Sequence, residues 1–177
     1  MSTASEKKER WLNYLAFSTI ILALCATLST FKGGGFSSRA VITQSQASDQ
    51  WSYFQSKSIK QYIFEGQKDA LELELKKGVP ASAVKPYKDR IEEYKSKIAK
   101  YDQEKDEISK KARSLEAMRD EALAHSKALG FAVILLQLAV MIMSITTLLK
   151  RKRLWMLGVA VGAVGVLWFV NGLLLLF

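Results

Sequence analysis

His125 is the one histidine among 177 residues, and Glu121 stands four residues before it. On a helix that spacing puts an imidazole and a carboxylate on one face. Such a pair is the beginning of a metal site. A hydrolytic zinc needs about three protein ligands, and the one cysteine, Cys25, lies inside an apolar run far from them in sequence. His125 therefore reads as an interfacial histidine. The triplet Gly33, Gly34 and Gly35 lacks the Lys-Ser/Thr pair that a phosphate loop requires, and no nucleophile elbow or dinucleotide fingerprint is present. The carboxylates of residues 87–127 interleave with lysines and read as solvated ion-pair partners. The expectation is a protein that is not an enzyme, with no catalytic, metal or cofactor-binding residues and no cofactor.

A second group of residues has unusual spacing. Gln46, Gln50, Tyr53, Lys57 and Lys60 recur at steps of 4, 3, 4 and 3, the core-facing period of a helix, yet the set is polar. Polar seam residues can fix the register between helices. A polar binding surface is the other reading, and register or oligomer contact is preferred. The same segment also carries Trp51, Tyr53, Phe54, Tyr62, Ile63 and Phe64 within fourteen residues, pointing in more than one direction, so one partner helix cannot cover them all. Large exposed apolar patches mark interaction sites. The expected oligomer or partner contact is Gln46, Asp49, Gln50, Trp51, Tyr53, Phe54 and Lys57.

The elements that hold these residues follow from the apolar runs. About 20 near-continuous apolar residues span a bilayer, and residues 12–31, 129–149 and 154–177 each qualify. A polar N-terminus (1–11), a four-residue basic loop (150–153) and a polar middle (32–128) remain. The expected fold is an all-α membrane protein with three transmembrane helices and an extracytoplasmic antiparallel coiled-coil hairpin between the first and second. Glycines 33–35 should break the first helix just past the bilayer. The arms are expected at 37–77 and 87–127, equal in length and each about 60 Å long. Gly78 reads as a helix-ending glycine, with Pro80 and Pro86 beyond it. On the second arm Ile91, Tyr94, Ile98, Tyr101, Ile108, Ala112 and Leu115 follow a heptad, with Lys105 in the skipped place.

Charge sets the orientation. The net charge of +9 suggests nucleic acid at first, but the middle segment holds 19 basic and 15 acidic residues, well mixed, without the one-sign stripe that tracks phosphates. No nucleic-acid partner is expected. Lys150, Arg151, Lys152 and Arg153 form a short basic loop, which the positive-inside rule places in the cytoplasm. The N-terminus, with Lys7, Lys8 and Arg10, is then inside as well, and the middle lies outside. The expected location is the bacterial inner membrane, with the middle in the periplasm or outside the cell. Cys25 cannot form an internal disulfide. Leu24 stands where a lipid-modification signal has a small residue, so the first span reads as a retained signal anchor.

In the third span Gly158 and Gly162 form a Gly-xxx-Gly pair, and Gly158, Gly165 and Gly172 recur every seven residues. Small residues let helices approach closely in lipid, so these four are expected to pack a membrane helix, within or between subunits. Asn171 is a candidate interhelical hydrogen bonder. No charged residue lies inside a span, which argues against an ion-coupled transporter.

The sequence Gln46-Ala47-Ser48-Asp49-Gln50-Trp51, followed by Lys57-Ser58-Ile59-Lys60, resembles an uncharacterised family of small bacterial membrane proteins, a domain of unknown function. The resemblance extends to Glu9-Arg10-Trp11, to the basic loop and to Trp155. It implies three spans and a helical insert, and it implies no activity. The function expected from all of this is a self-associating envelope scaffold or interaction module. Its partners would be further copies of the chain, the lipid bilayer and other envelope proteins. An oligomeric channel is the alternative, and a subunit of a sensing complex with a separate output partner is third.

Overall fold

The computed structural model describes the backbone of residues 2–176 and the side chains of 11–176. The side chains of Lys7, Lys8, Glu9 and Arg10, and the last residue Phe177, lie outside the described residues. Three helices account for nearly all of the described chain: α1 (Ser2–Lys77), α2 (Ala81–Leu149) and α3 (Lys152–Leu174). Among the described residues there is no strand. Each helix is long and apolar enough to cross a membrane, so the chain is an all-helical membrane protein. Two compact units are built from these helices. One comprises Met1–Val41 with Arg119–Phe177, and the other is Ile42–Met118.

The first unit packs the apolar parts of the three helices. Along α1 its inward stripe is Leu12, Leu15, Thr19, Leu22, Ala26, Ser29, Gly33, Phe36 and Ala40, at alternating steps of 3 and 4. Leu15, Leu22, Ala26, Ala132, Leu136, Ala139 and Met143 form the buried core, with Trp11, Trp155, Trp168 and Phe169 packed around it. Cys25 is half-buried against the same cluster.

The expected break at the three glycines does not occur: α1 runs through them. Glycine in a helix costs about 0.5–1 kcal/mol relative to alanine, roughly 2 kcal/mol for three. A Cβ on Gly33 would stand 3.3 Å from Cβ of Leu129, which is fully buried. Burying one leucine contributes about 1.5–3 kcal/mol, enough to offset that cost. Ser126 Oγ also donates to the carbonyl of Gly33 at 3.2 Å.

The second unit pairs the distal part of α1 with the proximal part of α2. Partners come from ever earlier in α2 as α1 advances: Trp51 meets Glu116, Gln61 meets Lys105, and Phe64 meets Tyr101 and Tyr94. The two segments are therefore antiparallel. Between them Gly78 has φ +97°, a left-handed conformation that glycine adopts without a Cβ clash. Its N–H reaches the Leu75 carbonyl at 3.3 Å. The helix that follows begins at Ala81, earlier than the expected start near Tyr87. Pro80 precedes its first turn, where proline's missing N–H matters little. Pro86 falls one turn later and leaves the carbonyl of exposed Ser82 without its helical donor.

Between α2 and α3 the chain reverses within Lys150 and Arg151. Lys150 takes φ 51°, its N–H bonded to the Thr146 carbonyl at 2.8 Å, and Arg151 is extended.

Candidate interaction surface

In the second unit the inward stripe of α1 is Thr43, Ala47, Gln50, Phe54, Lys57, Gln61, Phe64, Lys68, Leu71 and Leu75, again at strict 3–4 steps, all buried or half-buried. On α2, Ile91, Ile108 and Ala112 are buried, while Tyr94, Ile98, Tyr101, Lys105 and Leu115 are half-buried. The alanines and Thr43 let the backbones approach, and the aromatic and charged groups fill the wider part of the seam.

Polar chemistry is concentrated at four places on this seam. Trp51 Nε1 donates to Glu116 Oε1 at 2.9 Å, and the Trp51 ring meets Phe54 edge-on at 5.6 Å. Lys57 Nζ pairs with Glu104 at 2.7 Å, with their side chains 14% and 29% exposed. It also stands 5.1 Å from the Tyr53 ring and 5.5 Å from the Tyr101 ring, within cation–π range. Lys105 Nζ donates to Gln61 Oε1 at 2.9 Å and lies over Phe54, while Gln61 Nε2 donates to Glu65 at 3.0 Å. Phe64 is stacked on Tyr101 and tilted against Tyr94, with Lys97 Nζ 4.9 Å above its ring.

The seven residues expected to form an oligomer contact are thus divided by the structure. Gln50, Trp51, Phe54 and Lys57 lie on or beside the seam with α2, so the chain covers them itself. Gln46, Asp49 and Tyr53 are exposed. A surface outside those seven residues lies on the opposite side of α1 and holds Tyr62 and Ile63, two of the residues that one partner helix was not expected to cover. From Ser52 to Gly66 an exposed, uncharged strip runs along that side, made of Ser52, Gln55, Ser56, Ile59, Tyr62, Ile63 and Gly66, with exposed Lys60 at its edge. Ile59 is 60% and Tyr62 67% exposed. The outward side of α2 differs sharply, carrying exposed Glu92, Glu93, Lys100, Asp106, Glu107, Lys110 and Arg113. The signal was available in the sequence as a seven-residue repeat without charge: Ser45, Ser52, Ile59, Gly66 and Leu73.

Ion pairs give this unit a pH dependence with a definite sign. Hydrogen bonds from Lys97 and then Arg90 hold the Glu93 carboxyl down, from its ordinary 4.5 to about 2. The hydrogen bond from Lys57 lowers Glu104 in the same way, and Glu104 raises Lys57. A carboxyl lowered by folding stabilises the fold above its ordinary pKa and loses that contribution as pH falls through the folded value. A raised lysine contributes below its ordinary 10.5 and loses it above the folded value. Thermal melts followed by circular dichroism should therefore give a steady midpoint from roughly pH 5 to 10, falling as pH drops from 4.5 towards 2. Glu104→Gln should show a smaller acid drop than the unmutated protein. An identical drop would remove the Lys57 pair as a contributor.

In the first unit His125 acts as a clamp. Its Nδ1 lies 2.8 Å from the carbonyl of Gly172. A carbonyl only accepts, so Nδ1 carries the hydrogen. This satisfies one of the carbonyls left free at the end of α3. The imidazole stacks on Phe36 with centroids 4.3 Å apart and planes 9° from parallel. Glu121 is exposed. Among the described residues, no group of three or more His, Cys, Asp or Glu side chains is arranged to hold a metal ion.

Gly158, Gly162, Gly165 and Gly172 are all buried along one face of α3. They meet Met143 and Ile142, Leu22, Leu136, and Leu129 respectively, all in the same chain. Asn171 is buried beside them and its carbonyl accepts the N–H of Leu175 at 2.7 Å. Lys150, Arg151, Lys152 and Arg153 are exposed around the tight reversal between α2 and α3.

The geometry describes a helical membrane protein whose distinguishing features are seams and surfaces. The chain belongs to the family described as Domain of unknown function (DUF4337), which matches residues 11–175. No curated protein and no solved structure matches it.

Proposed function

We propose that the protein is a non-enzymatic, self-associating scaffold or interaction module of the bacterial envelope. In this reading the Ile42–Met118 unit is an extracytoplasmic coiled-coil hairpin, and Lys150–Arg153 holds the other side of the membrane in the cytoplasm. The observation that carries the proposal is the exposed, uncharged strip of Ser52, Gln55, Ser56, Ile59, Tyr62, Ile63 and Gly66 on the outward side of α1. A solvated helical pair has no need of Ile59, Tyr62 and Ile63 on its outer side, and α2 carries no exposed large apolar residue on its own outer side between Glu92 and Arg113, only charged, polar and small ones. The same face on a second copy is self-complementary, and closed symmetric pairing is the commonest way to bury such a patch. Gln137, exposed on the apolar part of α2, adds a polar group that a neighbouring helix would satisfy in lipid.

Native mass spectrometry in mild detergent is the direct test. The unmutated protein should be oligomeric, and Ile59→Glu combined with Tyr62→Glu should move it to monomer with unchanged helicity. A clean monomer before mutation, across detergents and concentrations, would overturn the proposal. The channel reading has one observation in its favour. Gln137 and Ser144 are seven residues apart on an exposed face of α2, as pore-lining groups would be. Conductance across a planar bilayer that Gln137→Leu abolishes would replace the scaffold reading with that one.

A further inference from the structure

The glycine triplet does more than let α1 approach Leu129. Around its outer side is a concavity of about 650 Å³, lined among others by Phe31, Lys32, Gly34, Gly35, Ser38 and Arg39. Leu24, Leu28, Lys32, Gly35 and Arg39 follow one another at steps of 4, 4, 3 and 4, so they form one stripe along the helix. Lys32 and Arg39 are two turns apart, about 10 Å along the axis. Gly35 stands between them, and a Cβ placed on it would meet nothing within 4 Å. The result is two cations with an open gap between them and the hydroxyl of Ser38 at the rim. From Trp11 to Ser48 α1 has no acidic residue, Asp49 being the first. Towards the N-terminus the same side of the helix is apolar and open, with Leu24, Leu28 and Phe31 exposed, the last by 75%.

We propose that this concavity binds the phosphate headgroup of an anionic phospholipid. Lysine offers phosphate a point charge and arginine a two-pronged donor, and the missing side chain at Gly35 leaves room for the group between them. The apolar side chains of Leu24, Leu28 and Phe31 accommodate the upper part of an acyl chain. The occupant follows from position as well as charge. Lys32 is the first residue after the 20-residue apolar run of α1, so the gap begins where hydrocarbon gives way to headgroups. The inference rests on α1 crossing the bilayer through that run and is independent of self-association.

The test uses the full chain in mild detergent, offered phosphatidylglycerol or phosphatidylcholine at equal ratio, with retained lipid counted by native mass spectrometry. Phosphatidylglycerol should be retained several-fold over phosphatidylcholine. Gly35→Leu fills the gap without altering charge, and leucine is the better helix former. It should bring retention down to the phosphatidylcholine level with no loss of helicity by circular dichroism. Lys32→Gln with Arg39→Gln should do the same and keeps the test valid if the leucine variant does not fold. Lys127→Gln should leave retention unchanged. Equal retention of the two lipids would overturn the proposal, as would a preference that survives both the gap-filling and the charge-removing variants. Displacement of the lipid by millimolar inorganic phosphate would overturn the headgroup as occupant in favour of a free anion.

Discussion

Gly172→Ala should destabilise the protein by about 1–3 kcal/mol, the usual cost of overpacking a well-filled site. A Cβ at that position would stand 2.7 Å from Leu129 Cγ and 2.9 Å from the Leu129 backbone nitrogen. Leu129 is fully buried, and its backbone belongs to the helix, so neither can yield cheaply. Gly165 is similar, with Leu136 Cγ at 2.9 Å and its nitrogen at 3.1 Å. Gly162 is different in kind. A Cβ there would meet Leu22 Cδ1 at 2.5 Å, closer still, but the contact is the end of a flexible side chain and no backbone atom is among its nearest neighbours. The order of damage should therefore be Gly172 and Gly165 first, Gly162 last. Unfolding in a graded denaturing detergent, followed by circular dichroism or tryptophan fluorescence, measures it. Equal losses at Gly162 and Gly172 would show that α3 shifts as a rigid rod and that the individual contacts do not set the cost.

Phe64→Ala should cost about 3 kcal/mol, the lower end for removing a packed phenylalanine because the ring is half-buried. Its ring lies 5.5 Å from Tyr94, 5.9 Å from Tyr101 and beneath Lys97. Losing it leaves two tyrosines without their shared partner and a lysine without its ring. Phe64→Leu should recover most of the apolar contribution and none of the cation–π part, which is worth about 0.5–1 kcal/mol at an exposed site. The thermal midpoint of the two variants, measured side by side, separates these parts. A leucine variant as stable as the unmutated protein would remove Lys97 from the account.

How much of this was legible in the sequence depended on side-chain size. The three spans announced themselves as long apolar runs, and the stripe of α2 was readable because Ile91, Tyr94, Ile98, Tyr101 and Ile108 are bulky and flanked by charge. Gly78 and the prolines marked the turn. The register of α1 was harder to read. Its seam is built from Ala40, Thr43, Ala47 and Gln50 before any bulky residue arrives, and then from Lys57, Gln61 and Lys68. Those residues do not look like a core. Ile59, Tyr62 and Ile63 do, and they face outwards. The polar stripe of Gln46, Gln50, Tyr53, Lys57 and Lys60 shares Gln50 and Lys57 with the true one and is one residue off at Gln46, Tyr53 and Lys60, where the structure turns Ala47, Phe54 and Gln61 to the seam. The glycine triplet misled for the opposite reason. Local preference spoke for a break, and a buried leucine on another helix outweighed it. The clamp formed by His125 and Gly172 joins residues 47 positions apart and had no local signal.

The polar groups on the seam have a consequence for how this segment can change length. Lys57 must meet Glu104, and Lys105 must meet Gln61, while both backbones keep their 3–4 count. One extra residue between Thr43 and Lys57 would turn everything after it by about 100° and send Lys57 and Gln61 to the wrong side of α1. An insertion is neutral only when it adds a whole seven-residue repeat to each helix at matching heights. Relatives that are longer or shorter in this segment should therefore differ in discrete steps of about 10 Å per repeat, and gene duplication of one repeat in one helix alone should be a dead end.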